Sequence, residues 1–237
     1  MKNNNKFRLD VWGAITLGTI ALYALFLLYP MAYLIRQSVL DPDTGGFTLA
    51  YFTKFFSKSY YFDTLINSFK VSITATVLSI AIGTPLAYLF TIFKIKGKSV
   101  LNILIVVASM SAPFIGAYSW ILLLGRSGII TTFFKNLGIA IPDIYGFGGI
   151  VLVMTLQLFP LVFLYAKGAL KNIDNSLIEA AENLGCSGIA CFFKVVVPLI
   201  MPTLLAAALL VFMRSFADFG TPMLIGEGYR TFPVVLY

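Results

Sequence analysis

Two carboxylates three residues apart, Glu179 and Glu182, stand in a polar stretch between long apolar runs. They form an acidic face that wants a partner, which is chemistry by charge and not by covalent bonds. Arg214 and Asp218 lie four residues apart near the end of another apolar run. That spacing suits a local ion pair, and the alternative is a gate on a solute path. Gln157 sits inside an apolar run, where it either hydrogen-bonds a neighbouring helix or lines such a path. There is no histidine, and the two cysteines, Cys186 and Cys191, share one polar connection. A zinc site, a disulfide framework and His-based catalysis are therefore not expected, and no catalytic or metal-ligating residue is assigned.

The elements that position these groups must lie in lipid. The 237 residues are 59% hydrophobic and 11% charged, against about a quarter charged in a soluble domain, and mean hydropathy is +0.91. Five continuous apolar runs, 11–35, 65–93, 100–124, 148–166 and 195–216, are each long enough to cross a bilayer core of about 30 Å. The runs do not alternate as barrel strands do, and a helix pairs every backbone amide within itself, so the fold class is all-α. The first run is longer than a signal-peptide core and is expected to be retained as a span. With no linker or repeat visible, residues 1–237 read as one domain, without a separate enzyme domain.

Charge distribution orients the spans. Lys2, Lys6, Arg8, Lys94, Lys96, Lys98, Lys167, Lys171 and Lys194 fall on one side. The other side receives fewer basic residues, diluted by Asp41, Asp43, Asp143 and Glu227. The basic side is cytoplasmic by the positive-inside rule, which puts the amino terminus there. The formal charge of +7 is thus assigned to the anionic leaflet and not to nucleic acid. A charge at mid-bilayer costs about 2.5–3.5 kcal/mol, so Arg36 and Lys70 are expected to snorkel to the outer rim. Pro85, Pro113 and Pro160 interrupt helical hydrogen bonding within spans, either as packed kinks or as cavity-lining bends. Aromatic residues scattered through 36–63 suggest a short interfacial helix.

The connection 169–194 is too polar for lipid and too helix-prone to be slack. Asp174 or Ser176 can cap a helix start, and Ser176 with Glu179 has capping-box spacing. Gly185 supplies a permissive end. Leu177, Ala181 and Leu184 form a narrow apolar stripe beside Glu179 and Glu182, a helix that wants a partner. A second helix follows, led into the fifth span by Lys194 and Pro198.

The run Glu179-Ala180-Ala181, three residues, Gly185, nine residues, then Val195-Val196-Val197-Pro198 resembles the EAA motif of binding-protein-dependent ABC importer permeases. That family more often has Ile and Leu where Val195 and Val197 stand. The stretch from Asn67 through Gly83-Thr84-Pro85-Leu86-Ala87-Tyr88 to Gly97 is similar to the span opening the core of these permeases. Ser215-Phe216-Ala217-Asp218-Phe219-Gly220-Thr221-Pro222 resembles the ferric-iron version, and less closely those for polyamines, thiamine and phosphonates.

The resemblance implies a type I permease fold with a coupling helix seated on a cytoplasmic ATPase. Glu179 would pair with a basic ATPase group, Ala180 and Ala181 would permit close approach, and Gly185 would make the bend that links the helix to the fifth span, with Glu182, Leu184 and Pro198 in the same ATPase-coupling set. It implies two ATPase subunits that bind ATP and Mg, an external solute-binding protein, and a second permease copy or half; this chain would hold no cofactor. It also implies a sixth span beyond Tyr237, so the sequence is expected to be truncated or the first half of a split chain. The function implied is ATP-driven solute import, with ferric iron first and polyamine, thiamine or phosphonate as alternatives. An intramembrane enzyme lacks its reactive groups here. An ion-driven transporter or a nonconducting scaffold remains the alternative of another class.

Overall fold

The computed structural model describes residues 11–41, 45–93, 96–110, 112–139, 141–183, 185–186 and 188–236; the side chains of Asn175, Ile178 and Glu182 are also outside that description. Among the described residues every regular element is helical, apart from one isolated antiparallel bridge between Leu40 and Phe47. The all-α expectation holds. The chain divides into two compact units, Met1–Phe62 and Asp63–Tyr237.

In the first unit, α1 (Val11–Val39) buries none of its described residues. Its turn at Ala24–Leu28 is one residue wide of α-helical, and the Tyr29 amide donates to the Ala24 carbonyl. Pro30 follows, so the widened turn absorbs the donor that proline lacks. Next comes α2 (Ala50–Ser57), the short helix expected from the aromatic segment. Phe55 meets Phe56 edge-on at 5.2 Å and stacks on Tyr61 at 5.6 Å.

Most of α3 (Ser59–Ile92) belongs to the second unit. After it come α4 (Lys98–Ser109), α5 (Pro113–Leu124), α6 (Ile129–Asn136) and α7 (Phe147–Lys171). The chain continues through α8 (Asn175–Asn183), α9 (Gly188–Phe216), α10 (Gly220–Ile225) and α11 (Phe232–Leu236). Among the described residues, five helical stretches are long and apolar enough to cross a membrane. Four coincide with expected runs; the third departs from it. In place of a continuous 100–124 span the chain has α4, a break, and α5, and the stretch meeting the length criterion is Pro113–Asn136. Pro113 causes the break: it occupies the first turn of α5, and Ala112 before it is extended at ψ 141°.

The axis of this unit is α7, the most buried of the five spans. Phe163, Ile150, Val153, Met154 and Val162 are almost wholly shielded and pack with Ile200, Leu204 and Val211 of α9. Along α9, α3 contributes Phe69, 5.1 Å from Phe216, and Tyr88, 4.7 Å from Phe192. Phe90 of α3 meets Phe163 of α7 edge-on at 5.1 Å.

Where α3 crosses α7, Gly83 brings the backbones together. A Cβ there would stand 2.8 Å from Val162 Cβ and 2.9 Å from the Phe159 carbonyl oxygen. Gly83→Leu is therefore expected to cost at least the ~1–3 kcal/mol of an overpacked core, seen as a lower Tm in detergent. Gly168→Ala, whose Cβ meets nothing within 4 Å, is expected to leave Tm unchanged or slightly raised.

Candidate functional site

Gln157, Arg214 and Asp218, assigned from sequence without a shared location, line one cleft of about 450 Å³. Ser109, Phe114, Phe219 and Gly220 complete much of its wall. Gln157 comes from the middle of α7, Arg214 from the last turn of α9, and Asp218 from the bend between α9 and α10. Ser109 and Phe114 flank the α4–α5 break, so the proline that interrupts that run also opens this wall. Phe114 meets Phe219 edge-on at 5.7 Å, and Gly220 lies so close beneath the Phe114 ring that a Cβ would meet it at 3.1 Å.

The expected Arg214–Asp218 ion pair does not form. Helix α9 ends at Phe216, so Asp218 is off the helix and the i,i+4 relation no longer holds. Its carboxylate caps α10 instead: Oδ1 accepts from the Gly220 amide (2.8 Å) and Oδ2 from the Thr221 hydroxyl (2.6 Å). Burial pushes the Asp218 carboxyl above the usual carboxylate range, opposed by the hydrogen bonds from Thr221 and Gly220. Arg214 is exposed and, among the described residues, within ion-pair distance of no carboxylate. The cleft therefore presents an uncompensated guanidinium, an amide and a carboxyl occupied in holding its own wall.

At the opposite end of α9 lies α8. Its start is capped by Asp174, whose Oδ1 accepts from the Ser176 amide at 3.0 Å. Ser176 is thus inside the helix, and the Ser176–Glu179 capping box read from the sequence is replaced by this Asp174 cap. Hydrogen bonds from Ser176 hold the Asp174 carboxyl below its usual value. The far end closes as a Schellman turn: Gly185 has φ +84°, and the Cys186 amide donates to the Ala181 carbonyl at 3.0 Å. Glu179 and Ala180 are exposed, Ala181 is half-buried and Leu177 is 50% exposed. Glu182 belongs to α8, but its side chain lies outside the described residues, as does Leu184. α8 packs against the first turns of α9.

Pro198 follows a widened turn in α9, where the Val197 amide donates to Phe192 across Phe192–Val196. This repeats the device before Pro30 and keeps the backbone paired where proline removes a donor.

With this geometry in view, the family model for the binding-protein-dependent transport system inner membrane component matches residues 44–236. The chain belongs to that family.

Among curated relatives, this family member is 28% identical over 92% of its length to the putative ferric transport system permease protein FbpB 1 of Haemophilus influenzae. It is 28% identical over 100% of its length to the ferric transport system permease protein FbpB of Actinobacillus pleuropneumoniae. It spans about a third of those proteins, 34% of each. It is 29% identical to the spermidine/putrescine permease protein PotB of H. influenzae, covering 94% of this chain and 79% of that one. A crystal structure of a bacterial ABC transporter involved in import of the acidic polysaccharide alginate aligns with TM-score 0.70 and 17% identity, over 100% of this chain and 81% of that one. A second, of a bacterial alginate ABC transporter in complex with an alginate pentasaccharide-bound periplasmic protein, gives 0.72 and 15% over 94% and 78%. These two establish the fold, that of an ABC importer permease with multiple membrane spans.

Sequence reasoning missed Ser109 and Phe114 as cleft residues, although the proline at 113 was the signal for the break that exposes them. It also missed the Asp218 cap, signalled by Asp two residues before a Gly-Thr-Pro turn. Asp218→Ala is expected to loosen the α9–α10 bend by about 1 kcal/mol, while Asp218→Asn retains an acceptor for the Gly220 amide. Proteolysis at 217–222 in detergent checks this: Ala is cut faster, Asn near the parental rate. The Asp174 cap has the opposite sign to a group raised by burial. Its folded value is depressed below the unfolded carboxyl's 3.8, so its contribution is present above that unfolded value and lost as pH falls through the folded one. Cleavage within 172–186 should therefore accelerate on acidification below the unfolded value, and Asp174→Asn should flatten that dependence.

Proposed function

We propose that this chain is the transmembrane permease of an ATP-driven importer that receives its solute, ferric iron, from an external binding protein. Two cytoplasmic ATPases that bind ATP and Mg dock on α8, and a second permease copy or half completes the path. The chain itself holds no cofactor and performs no covalent chemistry. The observation that carries this reading is a short exposed helix, α8, joined through a left-handed glycine to α9, whose far end bounds the cleft. Motion imposed on α8 has a stiff route to Arg214 and Asp218, because 29 helical residues rising 1.5 Å each span about 43 Å.

In operation, the ATPases close on ATP and displace α8. Gly185 holds the turn between α8 and α9, so displacement tilts α9 and does not dissipate in a slack loop. Tilting shifts the last turn of α9 against Gln157 of α7 and Phe114 of α5, changing the cleft's opening. The basic end of the bundle, with Lys98, Lys167 and Lys171, is cytoplasmic and the cleft faces the binding protein. Ferric iron is favoured as substrate by the two ferric relatives; a polyamine is the second reading, favoured by the PotB relative.

The test is uptake in vesicles holding the complete transporter with its ATPases and binding protein. ATP-dependent accumulation of ferric iron over spermidine is expected, and accumulation driven by an ion gradient without ATP overturns the reading. Glu179→Lys and Gly185→Val are expected to cut uptake ~10-fold or more while leaving membrane insertion intact; Gly185→Val forces a β-branched residue into φ > 0. Unchanged uptake in both variants rejects α8 as the coupling element. Topology has a separate readout in intact cells. Cys186, half-exposed, is expected to react with a membrane-permeant maleimide and not an impermeant one, whereas Cys191 is buried and reacts only after denaturation.

A further inference from the structure

At the end of α7 away from the Arg214 cleft, a second hollow of about 370 Å³ opens between α3, α4 and α7. Lys98, Lys167 and Lys171 line it with Ser99 and with Thr91, whose hydroxyl donates to the Ala87 carbonyl of its own helix at 2.8 Å. Lys167 donates to Asn102 Oδ1 and lies over the Phe163 ring at 5.4 Å, while the like charges of Lys98 and Lys171 both bear on it. Among the described residues none of the three lysines is within ion-pair distance of a carboxylate. Three ammonium groups facing one hollow repel one another, and an anion placed among them converts that repulsion into charge-assisted hydrogen bonds.

We infer that this hollow is a binding site for a phosphate-type oxyanion supplied by the headgroup of an anionic membrane lipid. Phosphate chemistry fits because its oxygens accept from several donors at once, and the wall offers three ammonium groups and the Ser99 hydroxyl. Lipid is the source that fits the surroundings. Ile92, Phe93, Val100 and Ile103, beside the lining residues in sequence, are 45–61% exposed, an apolar margin for acyl chains next to a polar hollow. Basic pockets between spans at the membrane border suit such headgroups. A bound headgroup would tie α4 to the end of α7, from which α8 projects.

Native mass spectrometry of the full chain in a zwitterionic detergent, titrated with phosphatidylglycerol and phosphatidylcholine of matched acyl chains, tests this. One retained phosphatidylglycerol per chain is expected, with ~10-fold preference over phosphatidylcholine. The preference should vanish in K98Q/K167Q/K171Q and persist in K98R/K167R/K171R and in K54Q/K58Q/K135Q, which removes as much charge elsewhere. Should the triple glutamine variant lose its helical content, Lys171→Gln alone, at an exposed position, is expected to lower retention several-fold. Equal retention of both lipids, or a folded glutamine variant that keeps its preference, overturns the site. Displacement by millimolar inorganic phosphate makes free phosphate the occupant and overturns the lipid assignment.

Discussion

Packing against α7 positions almost everything to which a role has been given. Gly83 lets α3 approach α7 until an added Cβ would meet the Val162 side chain and the Phe159 carbonyl oxygen, and Phe90 then seats against Phe163. Met154 sulfur accepts from the Ser215 hydroxyl at 3.1 Å, fixing the last turn of α9. Gln157, one turn along α7, reaches the cleft that α9 and α10 bound. In a membrane, water release contributes little between helices, so close van der Waals approach carries more of the association. A glycine at the crossing is thus a condition for the whole arrangement.

At Pro30, Pro198 and Pro113 the helices accommodate the donor that proline lacks. Before Pro30 and before Pro198 a wide turn re-pairs the backbone, while Pro113 is placed at a helix start, where its missing donor costs nothing. The consequence at Pro113 is functional geometry, since the break it forces puts Ser109 and Phe114 at the cleft. The consequence at Pro198 is a change of pitch in α9 between the coupling end and the cleft end.

Four of the five spans were legible in the sequence because lipid tolerates few charges and demands internally paired backbone, whereas the run 100–124 is broken at Pro113. Gly185 was legible for the same kind of reason: only a residue free to take positive φ closes a helix in a Schellman turn. What was not legible depended on where helices stop. The Arg214–Asp218 spacing implied a pair only if α9 continued past Phe216; once it ends, the amide of Gly220 and the hydroxyl of Thr221 are nearer to the carboxylate than any guanidinium. Of the two caps the sequence offered, Asp174 is the one used, with Ser176 inside the helix and donating its amide to it. Cys191 looked like a loop residue and proves to be the buried entry to α9. The meeting of Lys98 with Lys167 and Lys171 depends on α4 pairing with α7, which no local pattern encodes.

Charge at the two ends of α7 argues for how the bundle sits in lipid. Beyond its start, Arg126 bridges Asp143 at 3.0 Å and Glu227 at 2.8 Å, with its guanidinium 4.7 Å from the Tyr145 ring centroid. These groups are exposed, so each pair adds little stability, but together they join three connecting segments at one rim. At the other end three lysines crowd one hollow. Between the rims run 25 helical residues, about 37 Å at 1.5 Å each, against a hydrocarbon core of about 30 Å. Sliding the bundle either way would drag one charged rim into hydrocarbon. Lys167 is the inner limit of that margin: it sits one turn inside Lys171, and it is held there by Asn102 and the Phe163 ring, partners it would not need in water.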